Sequence, residues 1–433
     1  MEMLPKLAGR RLIVGALFLI GFLLATGRAE AVPAFARKYG MVCTGCHEAW
    51  PVLNNVGREF RDSGYRFGLG RDNLITTHTS YFPLSLIAKP HYGYTKRTHQ
   101  NTDQGLTDLK SGDVTWGAAS LFMGGALTDR ASFAAYLVDV PNLSPFIPEL
   151  WVRFNNLMDT SWLNFKLGDH EPDTPHSAIR SWSLFGTGFL IYGYHAPGSA
   201  SLINLGSEKR GIEYFGHDRG GRNRVAVSVF SQQGGAESAF DSPGAYLHTS
   251  HEWVPDSNRV SAVQVGVFGL YSRLPTSFKT LSGAPVSGTG SDLRSSSKYG
   301  VEGHLWLGPL ATPLHIVLVA ARGADDRDLI PGASRAGTFS GGFVEIGYSP
   351  TLSTLGFARV DAIRNRQQAD PSKEKTFDDQ DAYTLGIRHT LEYTYRAEYA
   401  LQAEYSTQQI KGTAVGGLDE RIDRGFLGFD IAF

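Results

Sequence analysis

The sequence predicts an all-β chain, a transmembrane antiparallel β-barrel of about 16 strands preceded by a short helical segment. Three observations predict it: an export signal at the start, a long succession of short alternating segments, and an amphipathic final strand that ends on Phe433. The chain holds 50 Gly, 18 Tyr and 25 Phe among 433 residues, with a formal net charge of -1. Its mean hydropathy is -0.18, and no second long apolar run follows the first. Helix-length amphipathic runs are scarce, which disfavours a helical soluble enzyme. The near-neutral balance supplies no basic face, so nucleic acid is not expected as a partner.

Residues 1–31 read as a signal peptide. Lys6, Arg10 and Arg11 give a basic start, and Leu12 to Ala25 form an apolar run broken only by glycine. Ala29-Glu30-Ala31 then supplies a small-x-small cleavage pattern, which places the mature start at Val32. A retained anchor is the competing reading, but the apolar run is shorter than the roughly 20 residues a spanning helix needs.

Directly behind it stands Cys43-Thr44-Gly45-Cys46-His47, a C-x-x-C-H motif that holds both cysteines of the chain. Two thiols on one tight turn can form thioethers to the two vinyl groups of one porphyrin, and the adjacent imidazole then becomes the proximal iron ligand. Cys43, Cys46 and His47 are therefore expected to bind one covalent haem c, with His47 on the iron. A redox-active cysteine pair would not need the histidine and normally sits on a βαβ unit, of which there is no sign. A structural zinc site would need about four ligands, and no second cysteine pair exists.

Residues 32–75 are expected to form the monohaem segment. Pro51 suits the first turn of a helix and Gly64 its stop, with Leu53, Val56 and Phe60 at helical spacing and Gly57 permitting close approach. Arg58 and Arg61 could pair with haem propionates, although solvated arginines are commoner. The sixth ligand is not assigned. Met41 lies on the proximal turn, and the alternatives are His78, His91, Met123 or Met158 along the chain, a water ligand, or a five-coordinate iron.

Residues 81–433 carry the alternation of the barrel. From Tyr393 to Ser406, tyrosine, alanine and leucine occupy one face while Arg396, Glu398, Gln402 and Glu404 occupy the other. Val225, Val227 and Val229 alternate with Ala226, Ser228 and Phe230, and Val301 and Leu305 with Glu302 and His304. Ala358, Val360 and Ala362 oppose Arg359 and Asp361, which puts a charged pair on the face toward a lumen. Leu427, Phe429, Ile431 and Phe433 repeat the design at the end of the chain. Acidic clusters at Asp325, Asp326 and Asp328, at Asp378, Asp379 and Asp381, and at Asp169, His170, Glu171, Asp173 and His176 offer metal-binding groups. Solvated turn charge is the commoner explanation.

The order of export signal, short haem segment and barrel resembles the fused cytochrome-porins of the outer membrane, whose best-known members are the monohaem iron oxidases. The resemblance is most specific over 32–67, in Pro33-Ala34-Phe35-Ala36-Arg37, the haem motif, and Leu53, Asn54, Gly57, Arg58, Phe60 and Gly64. It implies a protein of the Gram-negative outer membrane, in contact with its lipid, that transfers electrons across it, in the iron-oxidising members of the family as an Fe(II) oxidase. Electrons would pass from extracellular Fe(II) to periplasmic carriers such as soluble c-type cytochromes. A segment of some 40 residues is small for a core of its own, so the haem and a barrel wall would both be needed to stabilise it. The alternatives are a solute porin whose haem segment is a plug or sensor, and a soluble periplasmic cytochrome with an all-β binding domain.

Overall fold

The computed structural model describes residues 34–432 except 43–44, 50–51, 68–73, 76–82, 102–104, 116–118, 139–145, 178–181, 183–187, 202, 219–220, 232–242, 257–259, 276–292, 309–313, 352, 369–376, 394–396 and 413–418. The expected signal peptide, Cys43, His78 and Phe433 lie outside the described residues.

Between Leu84 and Ala432 the backbone forms one closed antiparallel sheet, in which each strand pairs with its neighbours in sequence and the last closes on the first. Eighteen ladder segments make it up. Leu84–Ala88 and His91–Asn101 pair with Glu420–Ala432 in a single register, Ala88 facing Ile431 and His91 facing Gly428, so they are one strand. Lys89 and Pro90 interrupt it because proline has no N–H to give the ladder, yet the Pro90 carbonyl still accepts from Phe429 N at 2.9 Å. Gly105–Thr115 and Ala119–Ala126 follow the two halves of that strand and are likewise one. Among the described residues the barrel therefore has sixteen strands, the even number and the count that the alternation predicts.

The side-chain alternation is inverted relative to a soluble protein. Val227, Val229, Val301, Val360 and Leu427 point outward and are 39–62% exposed, while their neighbours Ser228, Glu302, Arg359 and Asp430 are buried in the lumen. Outward aromatics stand toward both ends, Tyr271, Tyr299 and Tyr383 at one and Trp253 and Tyr348 at the other. An apolar belt between aromatic girdles is what a lipid bilayer requires of strands that cross it. Connections such as 127–130 and 218–222 are short at the end where Leu84 begins, and 232–242 and 276–292 are long at the opposite end. Short turns face the periplasm in such barrels, which orients the molecule.

One expectation is corrected here. The run from Tyr393 to Ser406 is not one strand: Asp379–Tyr393 ends and Glu398–Lys411 begins within it, with Tyr393 facing Glu398 across the hairpin. Paired residues share a face, so this four-residue turn shifts the period of two by one residue, and the bulge between Thr390 and Glu392 shifts it back; odd-numbered residues such as Leu385 and Leu401 therefore point outward in both strands. From Tyr399 onward the faces are as expected, with Leu401 and Tyr405 outward and Gln402, Glu404 and Ser406 in the lumen.

The described residues of 171–208, between the strands Asn164–His170 and Lys209–His217, fold inward and bring Phe189, Ile191, Tyr192, Ile203 and Leu205 against Phe230, Phe268, Val319 and Phe339 of the wall. Buried wall groups tie down the inserted backbone. Lys298 Nζ donates to the carbonyls of Tyr192 at 2.5 Å and Ile203 at 3.1 Å, and Asp325 accepts from Ala196 N at 2.7 Å. Each tie satisfies a polar group that would otherwise be costly to bury.

Candidate functional site

The N-terminal segment fills the lumen at the short-turn end. Helix α1, Ala34–Tyr39, is fixed at its first residue, where Ala34 N donates to Ser85 Oγ at 2.5 Å, and Arg37 donates to the Leu84 carbonyl. Helix α2 spans Asn55–Asp62, so it begins later than the expected start at Pro51. The reason is its cap: Asn54 Oδ1 accepts from Gly57 N at 3.0 Å. The preceding Val52–Leu53 is extended and pairs with His47–Ala49. The stop is the expected one. Gly64, at φ +82°, donates to the Arg61 carbonyl while Tyr65 N donates to that of Phe60, a paired closure that satisfies the last turn.

This segment packs on the barrel through two apolar contacts. Phe60 and Tyr65 join Ala134 and Trp151 of the wall, with Phe35 and Tyr39 against them, and the Tyr65 and Trp151 rings stack at 5.9 Å. Val52 packs with Trp182, Leu355 and Phe357. Charge adds direction to the apolar packing. Arg153 Nη2 donates to the carbonyls of Arg61 at 2.6 Å and Asp62 at 2.8 Å, which lie at the negative end of α2. The Asp62 carboxylate meets Arg224 at 2.5 Å, and Arg58 reaches Glu252 at 3.5 Å while its guanidinium lies over the Trp306 ring. Arg58 and Arg61 are thereby engaged, Arg61 with Asp62 at 3.0 Å.

Of the predicted haem residues, Cys46 and His47 are described. Both are partly buried on the turn that enters the short pairing of His47 with Leu53. Asn54 N donates to the Cys46 carbonyl at 3.0 Å, which fastens the motif to the start of α2. A Cβ on Gly57 would lie 2.0 Å from that same carbonyl, so only glycine lets helix and motif approach this closely. The fit to haem rests on the donor set, a thiol with an imidazole next to it, and on the apolar side chains Val42 and Val56 that stand 38% and 42% exposed beside the motif and on α2. Burial pushes the Cys46 thiol up, away from the lowered value that an activated thiolate of a redox pair needs.

A cavity between plug and wall is lined by Arg61, Asp62, Arg153, Lys166, Asp173 and Arg224. Burial raises the Asp62 carboxyl, but Arg224, with Arg61 and Arg153, outweighs it and holds the group well below the ordinary carboxylate range. Burial acts the same way on Asp173, and Arg224 and the hydrogen bond from His248 likewise reverse the effect.

The other candidates separate. Met158 stands 83% exposed on a turn at the rim, His91 packs against Phe426, and Met123 lies on the strand Ala119–Ala126. The acidic clusters use their oxygens internally. Asp169 pairs with Arg210 outside the barrel while His170 is buried inside it, because adjacent strand residues face opposite ways. Asp325 accepts from Ser296, Asp328 pairs with Arg294, Asp378 accepts from Tyr194, and Asp381 pairs with Arg364. Among the described residues no group of three or more His, Cys, Asp or Glu is placed to hold a metal ion. The inserted segment is what the sequence reading missed. Its only signal is the unusual length between two short strands, filled with Phe189, Ile191, Tyr192 and Tyr194 where a solvated loop would be polar.

The sequence matches no family model and no curated protein. The structure is similar to the anion-selective porin from Comamonas acidovorans, over 81% of this chain and 98% of that one, at a TM-score of 0.52 and 12% identity. It also resembles OmpTdeltaL8 of Vibrio cholerae, over 81% and 99%, at 0.48 and 12%, and Salmonella typhi OmpF, over 81% and 97%, at 0.47 and 8%. At these identities the likeness concerns the fold. Fold and lumen define the class, a porin-like β-barrel of the Gram-negative outer membrane. Within that class, this barrel holds two segments of its own chain in its lumen.

Proposed function

We propose that the chain is an electron conduit of the outer membrane, carrying one covalent haem c on Cys43, Cys46 and His47 and passing electrons from extracellular Fe(II) to periplasmic carriers such as soluble c-type cytochromes. One observation carries the reading: the segment with Cys46 and His47 is built into the lumen by buried charge pairs and aromatic packing, where a flexible tether would need neither. Haem bound there would supply one-electron chemistry between Fe(II) and Fe(III). Cys43 and Cys46 would hold the ring and His47 the iron. Phe35, Tyr39, Phe60, Tyr65 and Trp151 give the segment a dry wall, and Arg153, Arg224 and Glu252 set its orientation. The inserted residues Phe189, Ile191, Tyr192, Ile203 and Leu205 line part of the lumen with apolar side chains.

A second reading, a solute porin with a haem-carrying plug, is favoured by the fold likeness to porins. The apolar packing of Phe189, Ile191, Tyr192, Ile203 and Leu205 inside the barrel weighs against it, since it narrows the aqueous path a diffusion channel needs.

The test uses vesicles loaded with an oxidised soluble cytochrome. External Fe(II) should reduce the internal acceptor through wild-type protein, and His47→Ala should slow that reduction strongly. Equal reduction through a haem-free Cys43→Ala/Cys46→Ala barrel would favour transport of iron over transfer of electrons.

A further inference from the structure

A row of buried titratable side chains lies in the lumen beside the plug. Asp173 Oδ2 faces His248 Nδ1 at 3.3 Å, and His248 Nε2 faces Glu302 Oε1 at 2.9 Å. The other oxygen, Glu302 Oε2, faces His304 Nε2 at 3.3 Å, and His304 Nδ1 faces His315 Nε2 at 3.2 Å. Each interior member uses one atom toward the group before it and another toward the group after it. The imidazoles are thus arranged in series and share no common focus, as metal ligands would. An imidazole that gains a proton on one nitrogen can release one from the other, and a carboxylate can bridge two rings by its two oxygens. His248, Glu302, His304 and His315 are all at most 6% exposed. Asp173, at the head of the row, lines the cavity that opens to solvent.

Helix α2 of the plug reaches both ends of this row through one intervening side chain each. At the head, its Asp62 binds Arg224, which also donates to both oxygens of Asp173 at 2.9 and 3.0 Å. At the foot, its Arg58 lies over Trp306, whose ring stacks on His304 and, at 4.5 Å, on His315. Trp182, which packs on Val52 of the plug, meets the His315 ring edge-on. Among the described residues, groups that also face the row are Tyr246, which donates to the Asp173 carbonyl and lies beside the His248 ring, Glu213, which accepts from Asp173 N, Gln264 on Glu302, the Pro175 carbonyl on His304, and His176, whose ring approaches His304 while it pairs with Glu345.

We infer that the row from Asp173 to His315 binds and transfers protons in step with the charge on the plug, so that gain of one electron at the plug's haem from a one-electron reductant is accompanied by uptake of a proton from water into the row. This rests on the electron-conduit reading. The physical reason is that a charge added inside a lumen sheltered from bulk water interacts strongly with the nearest titratable groups, and a proton taken up there offsets it. The added negative charge raises the proton affinity of the row, so the reduction potential falls as pH rises.

The test is spectroelectrochemical titration of the detergent-purified holoprotein between about pH 5 and about pH 10, a range that spans ordinary and raised imidazoles. The wild-type potential should fall across this range, and Glu302→Gln and His304→Gln should each flatten the fall. His389→Gln, at an exposed histidine bonded to Thr354, should leave it unchanged. Retention of heat-dependent electrophoretic migration shows that each variant still forms the barrel. Identical pH profiles in wild type, Glu302→Gln and His304→Gln overturn the inference while leaving the haem in place. A protein without haem absorbance overturns the conduit reading, and this inference with it.

Discussion

Asp62, at the last turn of a helix near the start of the chain, and Arg224, on a strand of the wall, meet at 2.5 Å across 162 residues of sequence. This pair joins the plug to the lumen, and Arg224 passes the connection on to Asp173 of the inserted segment. Removing the Asp62 charge leaves Arg224 still paired with Asp173, so the cost falls below the roughly 3–5 kcal/mol of a fully uncompensated buried charge. Asp62→Asn should therefore loosen the plug, read as faster amide exchange over residues 55–62 with the barrel strands unaffected.

The same pair predicts a pH dependence. The folded carboxyl of Asp62 is held well below its ordinary value, which is about 3.9 in an unfolded chain. A depressed group contributes stability that is present above the unfolded value and lost as pH falls through the folded one. Docking of the plug should be constant from neutral pH down to about pH 4 and weaken only below it. Amide exchange over residues 55–62, followed as pH is lowered, checks this; a change centred near neutral pH would contradict it.

Under the proposed haem attachment Cys43→Ala or Cys46→Ala each removes one thioether, so haem staining after denaturing electrophoresis should drop sharply in either variant. Full staining in both would sink the assignment of the motif.

Gly57→Val tests the seat of that motif without touching its ligands. The added side chain would begin 2.0 Å from the Cys46 carbonyl, a backbone atom that cannot swing aside. Haem content should fall although both cysteines and His47 remain, whereas Val56→Ala, at a 42% exposed position, should change barrel stability little.

Lys298 bonds two carbonyls of the inserted segment from the wall. Lys298→Met leaves both carbonyls buried without that donor, at about 1–3 kcal/mol each. In planar bilayers the wild type should conduct little and this variant should open more often. A large steady wild-type conductance would favour the porin reading.

What could be read from the sequence was what depends on neighbours along one strand. Arg359 and Asp361 were legible as a lumen pair because a period of two is local, and their side chains do meet, at 2.7 Å. Val227 and Val301 were legible as lipid-facing for the same reason. The end of a strand was less legible: Tyr393 and Tyr399 belong to different strands, and the bulge after Thr390 and the four-residue turn each shift the alternation by one, so that together they look like continuation. Contacts across the barrel were not legible at all. Asp173 and His176 read as members of one acidic cluster, yet they turn to different walls, Asp173 to Arg224 and His176 to Glu345. Nothing local distinguishes a loop that enters a lumen from one that faces water, except the apolar residues of 189–205, which have meaning only once a wall is present to cover them.

The plug and its receptacle are parts of one chain, and the stretch between them is itself pinned where Ile75 N donates to the Ala126 carbonyl at 3.0 Å. Seating of the plug is therefore a unimolecular event governed by the local concentration that a short leash imposes, which for a flexible linker is in the millimolar range. Contacts too weak to hold a separate haem protein against dilution into the periplasm are sufficient here, and occupancy of the lumen does not depend on how many copies the membrane contains.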